Sequence, residues 1–287
     1  MTEYTKYKER GLVFRCADNR LVGVAAIPEA EAHVGVLIMV GGPQYRVGSH
    51  RQFTLLARSL ASAGIPSLRF DYAGMGDSEG DRLGFEKIDL DVAAAIDIFQ
   101  DSVPGMSHVI LWGLCDAASS AMMLAHRDVR IKGMVLLNPW VHSGEYSPAV
   151  KLSHFYRPLF TQKNQWRRLL SGKIELLPAL KELAQDTLSL VGKYLSMRKS
   201  AQTQKFFVDE MLDGLQRFKD DVLLILSNND LTAKEFSTLA DSDPSWQAAM
   251  HKPGVEVHSI DGADHTFSQR RAQDLVAELT IQWVKRL

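Results

Sequence analysis

Unbroken apolar runs alternate with stretches of helical spacing along most of this chain, a pattern that predicts strands buried between two layers of helices. Residues 34–40 (Val-Gly-Val-Leu-Ile-Met-Val) are apolar throughout, as a strand covered on both faces requires. Ahead of them, 12–15 and 21–27 read as an antiparallel pair. Over 53–63 the apolar residues Phe53, Leu56, Ala57 and Leu60 share one helical face, and Gly64 supplies the stop. The rhythm continues with a strand at 67–71, a helix at 88–99, a strand at 108–112, a helix at 117–125 and a strand at 133–137. It breaks after Pro139. From 141 to 218 only helix-like segments occur, among them 176–195 and 206–215. Strands resume at 221–226 and 255–260, with a helical stretch between them and a last helix over 272–284. The expected architecture is α/β: a mostly parallel central sheet with helices on both faces. Residues 1–140 and 219–287 would form the core, and 141–218 an inserted helical cap over the strand ends where ligands bind.

The joint after the strand at 108–112 holds the most telling residues, Trp112-Gly113-Leu114-Cys115-Asp116-Ala117-Ala118. Small residues stand two positions either side of Cys115. A nucleophile elbow needs that spacing, because the reactive side chain is thrust up on a sharp strand-to-helix turn that bulky neighbours would block. The usual pattern is G-x-S-x-G, so Cys replaces Ser and Ala replaces the second Gly. A thiolate at this position would gain from the N-terminus of the helix beginning near Ala117.

After such an elbow the acid and the base follow in that order, each just past a strand end. The strand at 221–226 runs into Ser227-Asn228-Asn229-Asp230, and the strand at 255–260 into Asp261-Gly262-Ala263-Asp264-His265. The candidate triad is Cys115, Asp230 and His265, with His265 taking the thiol proton and Asp230 fixing the tautomer of its ring. Each residue alone has a plainer reading: Cys115 as a small buried residue, Asp230 as the N-cap of a helix at 232–239, His265 as one of nine histidines. Their order and their joints favour the triad. Asp261 and Asp264 are alternative acids, poorly placed to hold the ring of a sequence neighbour. An oxyanion hole needs two convergent backbone N–H groups. One is expected from Asp116 and the other from Val40-Gly41-Gly42-Pro43-Gln44, where Pro43 has no N–H. Gly42 is the first choice there, and Gln44 the second, as an oxyanion or substrate contact.

Composition narrows the function classes. The chain has 287 residues with 33 Lys and Arg against 34 Asp and Glu, so its net charge of -1 gives no reason to expect nucleic acid. No apolar run approaches the ~20 residues that span a bilayer, and the opening Met-Thr-Glu-Tyr-Thr-Lys lacks the apolar core of an export signal. With Cys16 and Cys115 as the only cysteines, a cytoplasmic protein without disulfides is expected. His251 and His258 have no ligand cluster around them, so neither a metal nor a cofactor is expected. The stretch from His154 to Phe160, with Trp166-Arg167-Arg168, mixes aromatic and basic groups that could meet an anionic or carrier-bound acyl substrate or a membrane surface, though a solvated cap helix is the plainer reading. His50, His142 and His154 read as ordinary polar residues.

The segment Arg69-Phe70-Asp71-Tyr72-Ala73-Gly74-Met75-Gly76-Asp77-Ser78 resembles the D-x-R-G-x-G-x-S loop of many α/β-hydrolases, with Ala73 in the place of Arg. Its glycines serve a tight loop; no P-loop lysine follows them. Nearly the whole chain resembles the α/β-hydrolase superfamily. More narrowly, Gly41-Gly42-Pro43-Gln44-Tyr45-Arg46-Val47-Gly48-Ser49-His50-Arg51-Gln52-Phe53, with the 71–80 and 113–117 motifs, resembles the exosortase A system-associated hydrolases, bacterial proteins of exopolysaccharide and surface-protein export loci. That resemblance implies a hydrolase and names no substrate. The expected activity is cleavage of a small-molecule or carrier-bound ester or thioester through an acyl-thioenzyme. Acyl transfer by the same triad and a non-catalytic binding protein on this fold are the alternatives.

Overall fold

In the computed structural model, which describes residues 5–42, 44–141 and 207–287, the predicted strands join one eight-stranded sheet. Strands β1 (Tyr7–Cys16) and β2 (Asn19–Pro28) form an antiparallel hairpin, paired from Tyr7↔Pro28 to Cys16↔Asn19. Both are longer than their apolar stretches. In β1 alternation begins only at Leu12, because Lys8, Glu9 and Arg10 before it face solvent on an edge strand, where charge discourages pairing with other chains.

The other strands are β3 (Val34–Met39), β4 (Ser67–Asp71), β5 (His108–Leu114), β6 (Ile131–Leu137), β7 (Asp221–Ser227) and β8 (Val255–Ile260). Their order is β1-β2-β4-β3-β5-β6-β7-β8, antiparallel up to β4 and parallel from β4 to β8. From β3 the chain crosses first to β4 on one side and then to β5 on the other. Open α/β sheets bind ligands at the carboxyl ends of the strands beside such a reversal. Because β3 and β5 are buried at almost every position, both sheet faces are covered, as the apolar runs required.

The covering helices are α1 (Gln52–Ser62), α2 (Asp89–Ser102), α3 (Asp116–Leu124), α4 (residues 207–217), α5 (Leu231–Ser242), α6 (Pro244–Met250) and α7 (Arg270–Val284). Helix α1 packs against α7, while α3 packs on β5 and β6. Helix α6 was not anticipated, although its start is written locally: the Asp243 side chain accepts from the N–H groups of Ser245 and Trp246, and Pro244 fills the first turn.

The expected cap at 141–218 falls largely on 142–206, outside the described residues, together with the 176–195 helix, His142, His154 and the basic-aromatic stretch. Helix α4 covers the expectation at 206–215. From Glu210 onward the chain belongs to the same compact unit as Met1–Val141, and a side chain at Gly214 would stand 2.1 Å from the Met122 carbonyl of α3. Among the described residues no helix is long and apolar enough to cross a membrane.

Candidate active site

Cys115 sits between β5 and α3 with φ 63° and ψ −125°, a left-handed conformation that costs a non-glycine residue about 1–3 kcal/mol. The surroundings hold it there. Its N–H donates to Leu137 O at 2.9 Å, and its carbonyl accepts from Ala118 and Ser119 N–H at 3.0 and 3.2 Å. A Cβ on Gly113 would come within 2.7 Å of the Ala117 carbonyl, so a glycine is required where the turn folds back on itself. Half-buried, Cys115 stands at the mouth of the elbow.

The predicted acid and base meet beside it. His265 Nδ1–H donates to Asp230 Oδ2 at 2.9 Å. The same oxygen accepts from Ala233 N–H at 3.0 Å, so Asp230 is both the N-cap of α5 and the partner of His265. The helix-cap reading and the triad reading of this residue describe one geometry. With its side chain 8% exposed against 35% for His265, Asp230 orients the ring from behind and leaves its other edge accessible. The hydrogen bond to Asp230, then one to Cys115, raise His265 to about 10 against the opposing effect of burial. Burial works to raise Asp230, but His265 and the N–H groups of Ala233 and Thr232 outweigh it and hold the carboxyl below its ordinary range. The alternative acids are engaged elsewhere: Asp264 accepts from Ser268 N–H at 2.9 Å, and Asp261 from the Asn228 side chain. We expect Asp230→Asn, which keeps the cap, to lower turnover by about 100-fold or more with little change in melting temperature. Asp230→Ala should lose the cap as well, at a further cost of about 1 kcal/mol read by denaturant titration.

Asn138 escaped the sequence reading. It ends β6 with φ 43° and is fully buried. Its Nδ2 donates to Ser227 Oγ and to His265 O, each at 3.0 Å, while its Oδ1 accepts from Ser227 N–H at 2.8 Å. One side chain therefore ties the end of β7, which leads to Asp230, to the backbone of His265. The signal available was an Asn in Leu-Asn-Pro at a strand end, since Asn tolerates left-handed φ. Asn138→Ala leaves buried groups unpaired at about 1–3 kcal/mol each, an effect read as a lower urea midpoint at unchanged slope.

The loop after β3 is laced to the loop after β4 through Asp71, whose side chain is fully buried. Asp71 accepts from Arg46 N–H at 2.7 Å and Asp77 N–H at 3.1 Å and pairs with the Arg46 guanidinium, which also reaches Asp77 at 2.5 Å. Gly74 and Gly76 have φ of 71° and 53°, and a Cβ on Gly76 would collide with the Asp71 carboxylate, in keeping with the tight loop expected.

Within this frame the loop after β3 also meets the elbow. Gly42 N–H donates to Asp116 Oδ1 at 2.7 Å, so the donor assigned to the oxyanion is already engaged by a side chain of the elbow. The Gln44 side chain braces the entry to α1, its Oε1 accepting from Ser49 N–H at 3.0 Å and from Gln52 Nε2 at 3.3 Å. Arg82, not singled out in the sequence, reaches the same corner and donates to Gly42 O at 3.3 Å. Among the described residues no cluster of three or more His, Cys, Asp or Glu could hold a metal.

Residues 37–279 match the model of the alpha/beta hydrolase family. Among solved structures, the chain is similar to the Pyrococcus furiosus esterase Pf2001, at 17% identity and TM-score 0.64 over 98% of this chain and 91% of that one. It is also similar to ferulic acid-bound Est1E from Butyrivibrio proteoclasticus, at 14% and 0.62 over 96% and 98% of the two chains. An alpha-beta serine hydrolase homologue from Coxiella burnetii aligns at 12% and 0.57 over 95% and 96%. At such identities the likeness is one of fold. No curated protein matches the sequence.

Proposed function

Since the chain belongs to the alpha/beta hydrolase family, we propose that it cleaves an ester or thioester with Cys115 as nucleophile, His265 as acid and base, and Asp230 as the group that orients His265. The observation that carries this reading is the hydrogen bond from His265 to Asp230, a pair that meets beside a strained Cys115. The Coxiella neighbour is described as a serine hydrolase, so the cysteine rests on this chain's own elbow.

With His265 raised to about 10, the ring carries its proton across the neutral range. In this reading Cys115 attacks as a thiolate paired with that imidazolium. Sulfur attacks the acyl carbon, the carbonyl π pair moves onto oxygen, and N–H groups at Asp116 and Gly42 receive that oxyanion. On collapse the bond to the leaving group breaks and His265 gives that group its proton. Water then attacks the thioester as His265 takes a proton from it. The acid departs, and the proton left on His265 restores the imidazolium beside the freed thiolate.

A protein that only binds a ligand has no use for this strain or for the buried acid behind the ring. The cap at 141–218 and a link to an exosortase and exopolysaccharide system belong to the same proposal, the second on the 41–53, 71–80 and 113–117 motifs. Turnover of p-nitrophenyl esters and acyl thioesters tests the reaction class, with free acid as the expected product. Transfer to an added amine or thiol in excess of free acid would replace hydrolysis by acyl transfer; no cleavage of either substrate type would overturn the reading.

A further inference from the structure

The residue after the nucleophile carries a carboxyl group, and that group lies where a substrate's oxygen is expected. Asp116 Oδ1 accepts from Gly42 N–H at 2.7 Å, a charge-assisted length, and the N–H groups of Ala117 and of Asp116 itself also favour its charged form. The Gly42 N–H assigned to the oxyanion therefore already meets a carboxyl oxygen of the chain. The corner is tight: a Cβ on Gly41 would lie 2.6 Å from the same oxygen. A carbonyl oxygen and this carboxylate cannot occupy it together.

We propose that the Asp116 carboxyl is a built-in occupant of the oxyanion site, which an acyl substrate displaces before its carbonyl is polarised; this rests on the acyl-thioenzyme reading above. Arg82 offers the displaced group a new partner. Its guanidinium donates to Gly42 O at 3.3 Å, is exposed to solvent, and acts on Asp116 as a neighbouring positive charge. A turn of the Asp116 side chain thus exchanges backbone N–H groups for a cation and vacates the site. The enzyme at rest is self-capped, and only a substrate whose remaining contacts outweigh the cap is acylated, which makes Asp116 a residue of specificity.

The titratable and charged groups that act on this carboxyl are Arg82 and the buried Tyr72 just past β4. Burial raises Asp116 above the usual carboxylate value, with Gly42, Ala117 and Arg82 opposing. A neutral acid holds N–H groups less strongly than a carboxylate. Self-capping is therefore strongest well above the Asp116 titration and fades as pH falls through it.

The test is the rate of acylation by p-nitrophenyl acetate in the wild type, Asp116→Asn and Asp116→Ala, with thermal melts to establish that each is folded. At neutral pH, Asp116→Ala should acylate about tenfold faster or more, and Asp116→Asn, which keeps the shape without the charge, by a smaller factor. The ratio of either variant to wild type should shrink toward one as the pH is lowered, because effects of pH on Cys115 and His265 are shared and cancel. Variants acylated at Cys115 no faster than wild type at neutral pH would overturn the proposal. Absence of Cys115 acylation in all three proteins would overturn the acyl-thioenzyme reading beneath it. Should Asp116→Ala fail to fold, Asp116→Asn carries the test, together with the Gly42 amide proton resonance. That signal should shift upfield when the charge is removed; an unchanged resonance would also overturn the proposal.

Discussion

Incubated with an activated acyl ester, the protein gains one acyl group on Cys115 and none on Cys16, and Cys115→Ala loses turnover by about a thousandfold or more. The two thiols are separated by their surroundings. Cys16 is buried at the end of β1, where its Sγ–H donates to Asp91 Oδ1 at 3.1 Å, and burial followed by that carboxyl pushes it up to about 12. Cys115 is half-exposed on a strained turn within reach of His265. Cys115→Ser should fold normally and still lose most activity. His265 is set to pair with a thiolate, whereas a hydroxyl has to surrender its proton during attack. Peptide mapping by mass spectrometry locates the label; acylation of Cys16 alone would be incompatible with the mechanism.

Alkylation by iodoacetamide should be fast at neutral pH in the wild type and should slow by about tenfold or more in His265→Ala. The sign follows from His265, whose raised value of about 10 keeps an imidazolium beside the sulfur through neutral pH and removes it only as pH rises through that value. Without the ring, reactivity should appear only as the pH approaches the value of a free thiol, near ~8.5. A rate-against-pH series on both proteins makes the comparison. Identical profiles centred on the free-thiol value would mean that His265 does not activate Cys115.

Much of this site is legible along the chain because its parts are local. A nucleophile elbow needs small residues two positions either side of the reactive side chain, and Gly113 and Ala117 supply them next to Cys115. The runs at 34–40, 108–112 and 221–226 announce buried strands since a strand covered on both faces has no polar side to interrupt it. A residue just past a strand end is placed by that strand, so the neighbouring strand ends bring Asp230 and His265 within hydrogen-bonding reach of each other. The hairpin was read short because charges on an edge strand erase the alternation that marks it.

What depended on distant segments coming together was not legible. Asn138 reads as an ordinary turn residue until β7 and the His265 loop close around its side chain. The Gln44 side chain finds Ser49 and Gln52 only once the loop folds onto α1. Asp116 offers the clearest division. The sequence by itself determined that its backbone follows Cys115 at the start of a helix, since connectivity alone places that N–H. Only the tertiary structure decided that its carboxyl meets the Gly42 N–H from a loop 74 residues away in the chain, because a hydrogen-bond partner is chosen by proximity in space, which strand order creates and sequence spacing does not encode.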